Sequence, residues 1–242
     1  MKGVTFDFWG TLFTEGLEYS QQVSQSRIRL IWAAAHRAGA RVDREEVQMA
    51  FREAAQRYRR YLQLGQSFPI RERVSFILAK LKVELPVAEL EALVAALEEC
   101  ALNEDLTPLP GTVSALPELA QSYVLGIVSN TGLTSGRVIR AHLERHGLLA
   151  NFAGFSFSDE TGWVKPRPEA FNQALVEMGV SAGEACHVGD IVAIDIAGAR
   201  QAGFARTVLY VGHRYRGEAS AADALIHDHG ELEPLLAFWR AA

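Results

Sequence analysis

The pattern of apolar and polar positions divides the chain into three parts. Residues 2–8 are rich in β-forming side chains and end in the turn sequence Trp9-Gly10-Thr11, which predicts a strand that runs directly into a turn. From about residue 20 to residue 104, apolar residues recur at three- and four-residue spacing, as in amphipathic helices. Asp43 and Glu46 have the spacing of a capping box at one of the helix starts. The four predicted helices are 22–38, 43–62, 70–81 and 86–102.

After residues 107–111, short apolar runs alternate with helical patterns, which is typical of a parallel, doubly wound sheet. The predicted strands are 123–128, 154–157, 185–188, 207–211 and 224–226, and the predicted helices are 112–121, 136–146, 167–177, 195–201 and 231–241. The N-terminal strand has its partners about 110 residues later, so a helical domain is predicted to be inserted after it. We therefore predict an α/β fold with a Rossmann-like core of residues 1–13 and 106–242 and an α-helical domain of residues 14–105.

Composition and charge exclude several classes of function. The chain has 242 residues, of which 49% are hydrophobic and 22% charged, so a disordered chain is not expected. A net charge of −5 and an isoelectric point near 5.8 disfavour nucleic-acid binding. No apolar run reaches the roughly 18 residues of a membrane span, and the first residues lack a secretory signal pattern. Two cysteines, Cys100 and Cys186, cannot build a disulfide framework, so we expect a cytoplasmic protein.

Charge is unevenly distributed within the predicted helical domain. Residues 19–73 hold 11 Arg and 5 acidic residues, whereas residues 80–105 hold 2 Lys and 7 acidic residues. Solvated helix faces that pair with one another would explain this distribution. Alternatively, some of the arginines face an anionic substrate. The candidates for that role are Arg27, Arg29, Arg57, Arg59 and Arg60.

Polar residues follow several of the predicted strands. Asp7 and Ser129 come at the ends of two strands, and Asp190 ends another, with Asp195 five residues later. Ligands of open parallel sheets bind beyond the carboxyl ends of the strands, so these side chains are expected to converge. Lys165 lies in a loop between strands and is the only lysine after position 82, where there are nine arginines. A compact ammonium suits a crowded carboxylate site better than a planar guanidinium.

These segments together resemble the four motifs of the haloacid dehalogenase superfamily of hydrolases, and the resemblance extends over essentially the whole chain. The ordered set is far more specific than any single motif. The matching residues are Asp7 with Gly10-Thr11, Ser129-Asn130, Lys165-Pro166-Arg167-Pro168 with Phe171, and Gly189-Asp190 with Asp195. The resemblance implies that the inserted helices form a C1-type cap that closes over the active-site cleft.

The resemblance also implies roles for the acidic residues. Asp7 would be the nucleophile, which forms a covalent aspartyl ester. Asp7, Asp190 and the backbone carbonyl of Trp9 would bind Mg²⁺. Asp195 would orient ligands or waters without binding the metal.

The remaining motif residues resemble the family's phosphate cradle. Thr11, Ser129, Asn130 and Lys165 are the candidate phosphate-binding residues, with backbone amides after Asp7 and Ser129 contributing. Lys165 would also act in catalysis, because it neutralises charge on Asp7 and on the transferred group.

One position departs from the family pattern. Most phosphatases of the family carry a second aspartate two residues after the nucleophile, which protonates the leaving alcohol and then activates water. Here that residue is Trp9, whose indole can do neither. General acid–base catalysis typically contributes about 10²–10⁴-fold in rate. The metal site is expected to survive, because the family uses only the backbone carbonyl at this position.

Three functions are compatible with these residues. The first is a Mg²⁺-dependent phosphatase of a small phosphorylated metabolite, with Glu15 or Tyr19 as a replacement acid or with a leaving group that needs no proton. The second is a metal-independent 2-haloacid dehalogenase, since those enzymes have tyrosine at the Trp9 position, although they lack the carboxylate found here as Asp190. The third is a binding or regulatory protein of low activity. The expected partner is a small anionic molecule, with no nucleic acid and no membrane, and the protein is expected to be a monomer or homodimer.

Overall fold

The computed structural model describes residues 1–213 and 221–241 and confirms the α/β fold class. Six parallel strands form the main sheet in the order β5-β4-β1-β6-β7-β8. These strands are β1 (Gly3–Phe6), β4 (Val124–Ser129), β5 (Phe152–Phe157), β6 (Ala185–Gly189), β7 (Arg206–Tyr210) and β8 (Ala224–Ile226). All six were predicted from the sequence, with ends that differ by no more than two residues.

Strand β1 lies in the middle of the sheet, where all four of its residues are buried. Phe6 is in register with Ile127 of β4 on one side and with Val188 of β6 on the other. The three strands therefore end side by side, and the residues that follow them, including Asp7 and Asp190, meet at one edge. We call this edge, where β1, β4 and β6 end, the carboxyl edge.

Helices pack around the sheet and above its carboxyl edge. Those of the core are α5 (Thr112–Leu119), α6 (Gly136–Arg145), α7 (Ser158–Thr161), α8 (Pro168–Met178), α9 (Ala197–Gln201) and α10 (Leu232–Ala241). The short α7 was not predicted. The predicted helix 195–201 is preceded by a π-helical turn, Val192–Ile196, so Asp195 lies in that turn and not in α9.

The first four helices of the chain, which follow β1, have their own apolar core. They are α1 (Leu17–Arg37), α2 (Arg44–Gln63), α3 (Ile70–Lys80) and α4 (Val87–Glu99), and we call them the helical cap. Ile31, Val74 and Leu97, from three of the helices, belong to one buried cluster that is separate from the clusters of the sheet. The predicted capping box at the start of α2 is confirmed, since Asp43 and Glu46 exchange two hydrogen bonds of 2.8 Å.

A short antiparallel ribbon joins the two chain crossings between the core and the cap. Strand β2 (Phe13–Thr14) pairs with β3 (Thr107–Pro108), a pairing that was not predicted. The ribbon lies close to the predicted boundaries at residues 13/14 and 105/106, which themselves stay a prediction. The predicted core segment 106–242 includes residues 214–220 and 242, which lie outside the described residues. None of the helices in the described ranges is both long and apolar enough to cross a bilayer.

Candidate active site

Asp7, Lys165 and Asp195 form a buried ionic cluster at the carboxyl edge. The Lys165 ammonium donates to Asp7 Oδ1 at 2.6 Å and to Asp195 Oδ1 at 2.7 Å. Lys165 is only 1% exposed, and both carboxylates are buried. The other oxygen of Asp195 accepts a hydrogen bond from the Ile191 amide at 2.9 Å. The ammonium is therefore fixed between two carboxylates, one of which belongs to the predicted nucleophile.

Asn130 holds the loop that carries Lys165. Its side-chain oxygen accepts from the Lys165 amide at 2.8 Å, and its side-chain nitrogen donates to the Lys165 carbonyl at 3.1 Å. These two bonds tie the loop to the end of β4. The Asn130 side chain therefore positions Lys165, while phosphate binding by the Asn130 backbone amide stays a prediction.

Asp190 lies beside this cluster, and one of its oxygens has no hydrogen-bond partner. It is 8% exposed, and its Oδ1 has no hydrogen-bond partner. Its Oδ2 would lie 2.5 Å from a Cβ at position 10, where Gly10 has a φ of +80°. A side chain at position 10 would therefore be both strained and in collision with Asp190. Gly10 is what lets the turn after β1 approach this carboxylate.

Burial and repulsion shift the pKa values of the four charged groups in different directions. Burial, together with repulsion from Asp7 and Asp195, raises the pKa of Asp190 to about 8. Burial also raises the pKa of Asp7, to about 6, against the attraction of Lys165. Burial opposes charge on Asp195 and Lys165 as well, but their mutual attraction outweighs it. The pKa of Asp195 is therefore lowered and that of Lys165 is raised.

The three carboxylates fit a divalent metal ion with oxygen ligands. One oxygen from each of Asp7, Asp190 and Asp195 lies within 4.8 Å of the others. A buried carboxylate oxygen without a partner costs free energy, and a cation bound to Asp190 Oδ1 would remove that cost. Both oxygens of Asp195 are already engaged, so Asp7 and Asp190 are the residues best placed to hold Mg²⁺.

Two hydroxyl groups complete this edge of the sheet. The Thr11 hydroxyl donates to Asp7 Oδ2 at 3.4 Å, and the Ser129 hydroxyl is buried without a hydrogen-bond partner. An unpartnered buried hydroxyl at the end of β4 is available to donate to a bound anion. The structure thus brings Thr11 and Ser129 to the same edge as the carboxylates.

A cavity of about 430 Å³ opens between the carboxyl edge and the helical cap. Trp9, Glu15, Asp190 and His213 are among the residues that line it. Tyr19, the other candidate acid, lies outside this lining: its hydroxyl donates to the Ala101 carbonyl at 3.4 Å, and burial raises its pKa.

His213 follows β7 and was not singled out from the sequence as a site residue. The structure places it in the cavity wall, with Nε2 at 2.8 Å from the Thr14 hydroxyl. No local sequence signal marks it, because only the order of the strands brings the end of β7 to this side.

The arginines of the helical cap that line the cavity are not the set named from the sequence. Of the five candidates only Arg27 lines the cavity, while Arg29, Arg57, Arg59 and Arg60 are exposed and lie outside its lining. Tyr58 and Arg73, which were not singled out from the sequence, line it as well. The Arg-rich composition of residues 19–73 indicated the region. It could not indicate which arginine points inward, because that depends on how α1, α2 and α3 pack.

The comparisons with known proteins agree with this geometry. A model of the haloacid dehalogenase-like hydrolase family matches residues 1–203. Pyrimidine 5'-nucleotidase YjjG of Escherichia coli is 36% identical over 137 residues, which are 56% of this chain and only 60% of the length of YjjG. Glyceraldehyde 3-phosphate phosphatase of Methanopyrus kandleri is 28% identical over 206 residues, or 84% of this chain and 81% of that protein.

A solved structure adds a neighbour of a different named activity. The 2-haloacid dehalogenase from Pseudomonas syringae pv. Tomato DC3000 is 26% identical, with a TM-score of 0.73 and 99% of both chains covered. The family match covers most of the chain, and the motif residues lie together at the carboxyl edge. The protein is therefore a haloacid dehalogenase-like hydrolase, with phosphatases among its relatives.

Proposed function

We propose that the protein is a Mg²⁺-dependent phosphatase that hydrolyses a small phosphorylated metabolite through an aspartyl-phosphate intermediate on Asp7. The observation that supports this most directly is Asp190, a buried carboxylate with one unpartnered oxygen beside Asp7. Such a group is expected where a cation neutralises it and is unexpected in a metal-free site. The phosphatase names of the two relatives point the same way.

In the first step Asp7 attacks the phosphorus atom. A bond forms between an Asp7 oxygen and phosphorus, the bond to the leaving oxygen breaks, and that oxygen takes up a proton. Lys165, 2.6 Å from Asp7, keeps the carboxylate ionised and compensates charge on the phosphoryl group. The hydroxyls of Thr11 and Ser129 would hold the phosphoryl oxygens.

In the second step a water molecule attacks the phosphorus of the aspartyl phosphate. Phosphate leaves, the water loses a proton, and the Asp7 carboxylate is regenerated. Mg²⁺, when bound by Asp7, Asp190 and the Trp9 carbonyl, supplies charge neutralisation at the phosphoryl group. Asp195 has no direct part in either step, because both its oxygens are held by Lys165 and Ile191. Its proposed role is to hold Lys165 in position.

The proton of the leaving group must come from a residue other than Trp9. Glu15 and His213 both line the cavity. An imidazole can give up one proton and later take another, and the two steps of the reaction require both transfers. If His213 were the donor, His213→Asn would slow the hydrolysis of alkyl phosphates by about 10²-fold. Glu15→Gln tests the alternative donor in the same way. If both variants hydrolyse alkyl phosphates at the rate of the wild type, neither group supplies the proton.

The helical cap is proposed to close the cavity over the substrate. We place its boundaries at residues 14–105, next to the β2–β3 ribbon, with the core formed by residues 1–13 and 106–242. Closure would exclude water other than the attacking molecule. A small anionic substrate, a monomeric or homodimeric state and a cytoplasmic location remain parts of the proposal.

A metal-independent 2-haloacid dehalogenase is the second candidate. The structural neighbour from Pseudomonas syringae carries that name, and an aromatic side chain at position 9 suits a reaction whose halide leaves without a proton. Asp190 counts against it, because a reaction without a metal gives this buried carboxyl group and its unpartnered oxygen nothing to bind.

The deciding experiment is one activity panel on the purified protein. Aryl, acyl and alkyl phosphates are assayed with Mg²⁺ and with EDTA, and 2-chloropropionate is assayed in EDTA. We expect phosphate release that requires Mg²⁺, with alkyl phosphates the slowest. Halide release in EDTA would show that the protein is a dehalogenase and would contradict the phosphatase proposal. A protein inactive on the whole panel would instead support a binding or regulatory role.

A further inference from the structure

Arg73 is a buried cation with no partner for two of its nitrogens. Its side chain is 5% exposed, and neither Nε nor Nη1 has a hydrogen-bond partner. Among residues 1–213 and 221–241, no carboxylate lies within ion-pair distance of its guanidinium. A buried charge of this kind is costly unless something of opposite charge pairs with it.

Arg27 shows what a structural arginine in the same cavity looks like. Its Nε donates to the Leu97 carbonyl at 2.9 Å, and one terminal nitrogen donates to the Leu133 carbonyl at 2.7 Å and to the Thr134 hydroxyl at 3.3 Å. Arg27 is therefore engaged by the protein itself. Arg73 lines the same cavity without such bonds.

Arg73 is also held in a defined position. Its guanidinium carbon lies 4.3 Å from the ring centroid of Tyr58, whose hydroxyl donates to the Thr131 carbonyl at 2.8 Å. Gly132 leaves space beside it, because a Cβ at that position would lie 3.3 Å from Nη1. The planar guanidinium is thus held on one face by Tyr58, while the N–H groups of Nε and Nη1 have no acceptor in the protein.

Tyr58 connects this arginine to the reaction centre. Burial raises the pKa of the Tyr58 hydroxyl to about 12, and Arg73, Lys165 and Asp7 all act on it electrostatically. Tyr58 thus contacts Arg73 through its ring and, through its hydroxyl, the chain just after β4 at the carboxyl edge. Arg73 and Asp190, which lies beside Asp7, both line one cavity of about 430 Å³, a volume that suits a small molecule.

We propose that Arg73 binds a second anionic group of the substrate, a carboxylate or a second phosphate, while the reacting phosphate lies at Asp7. The proposal rests on the proposed phosphatase function and narrows its substrate to phosphomonoesters with two anionic groups a few atoms apart. A guanidinium presents parallel N–H groups that match the two oxygens of a carboxylate or phosphate. Arg73 is a specificity residue and has no part in the transfer of the phosphoryl group.

The test compares three substrates of matched length: propyl phosphate, 3-phosphooxypropanoate and propane-1,3-diyl bisphosphate. For the wild type we expect kcat/KM to be at least about tenfold higher for one or both of the substrates with a second anionic group than for propyl phosphate. Arg73→Gln should remove this preference through KM and leave propyl phosphate unchanged. Arg71→Gln is the matched control, because Arg71 lies on the same helix but is exposed and pairs with Glu91 at 2.6 Å.

A binding measurement on the wild type separates failure of this proposal from failure of the phosphatase proposal. In calorimetry with Mg²⁺, 3-phosphonopropanoate should bind at least about tenfold more tightly than propylphosphonate, whether or not the protein hydrolyses phosphates. Equal binding would overturn the role of Arg73, even if Arg73→Gln fails to fold. If 3-phosphonopropanoate binds more tightly but no phosphate is hydrolysed, the phosphatase proposal is refuted and the anion-binding role of Arg73 is retained. A preference for 3-phosphooxypropanoate identifies the second group as a carboxylate, and a preference for propane-1,3-diyl bisphosphate identifies it as a phosphate.

Discussion

The two walls of the cleft differ in how their charged groups are paired. At the carboxyl edge, Lys165 is bonded to two carboxylates, and of the three carboxylates there Asp190 is the one that keeps an unpartnered oxygen. In the helical cap, Arg73 keeps two unpartnered nitrogens. The first wall arranges its own reactive groups before any substrate arrives, whereas the second leaves a cation for the substrate to pair with. Changes at the edge should therefore affect every substrate, and changes at Arg73 only those with a second charge.

The largest effect is expected from Asp7→Asn, which removes the nucleophile and keeps its shape. We expect kcat to fall by about 10³-fold or more for all phosphate substrates alike, because the covalent step is lost. Steady-state rates on the three propyl substrates measure this. Asp43→Asn is the control, since it changes an exposed aspartate at a helix start and retains a capping side chain. A loss that depended on the substrate would break the contrast between the two walls.

Trp9→Asp should have the next largest effect, and in the opposite direction. A carboxylate two residues after the nucleophile would supply the missing proton donor, so turnover of alkyl phosphates should rise by about 10–100-fold. Acyl phosphates, whose leaving group needs no proton, should gain little. Trp163→Asp, at an exposed position, should leave the rates as they are. An unchanged alkyl rate in Trp9→Asp would mean that His213 or Glu15 already donates the proton.

Gly10→Ala tests how closely the turn after β1 must approach Asp190. An alanine there is strained by the positive φ and meets Asp190 Oδ2, so we expect a loss of about 2–3 kcal/mol in unfolding free energy. Gly39→Ala is the matched control, because Gly39 has a φ of +84° and nothing within 4 Å of a Cβ. It should lose only about 1 kcal/mol. Urea unfolding measures both, and equal losses would show that Asp190 tolerates the methyl group.

The smallest effect is a pH dependence of the metal-free protein. The pKa of Asp190 is raised to about 8, so the folded state retains a proton that the unfolded chain has already released. Stability from this group is complete below pH 4 and is lost as the pH rises toward 8. We therefore expect the Tm in EDTA to fall by roughly 5 °C between pH 6.5 and 8.5. Saturating Mg²⁺ should reduce the fall, and Asp190→Asn should abolish it.

Three buried histidines set the lower limit of that pH window. Burial lowers the pKa values of His142, His187 and His229, so these groups add stability as the pH rises toward their unfolded pKa near 6.5. From about one pH unit above 6.5 they are neutral in both states, so the upper part of the window reports Asp190 alone. If the Tm of the wild type in EDTA stays constant above this pH, the folded state does not retain an extra proton on Asp190, and its carboxylate is neutralised in another way.

The sequence was most informative where local pattern and function coincide. The strand ends were predicted within two residues, because apolar runs bounded by turns fix them locally. The capping box at Asp43 was predicted for the same reason. The β2–β3 ribbon escaped prediction, since a pairing of two residues per strand across about 90 residues of chain leaves no periodic signal.

In the candidate site, too, some features followed from the sequence and others only from tertiary packing. The parallel sheet and the ends of its strands required Asp7 and Asp190 to meet at one edge, and the sequence determined both, along with the family and the unusual Trp9. Only the tertiary structure decided that Lys165 bridges Asp7 and Asp195, that His213 reaches the cavity, and that Arg73 lines it with two unpartnered nitrogens. The physical reason is range. Strand and helix patterns arise from neighbours a few residues apart, whereas the pairing of a charge depends on which side chains the packed helices and loops bring within about 3 Å.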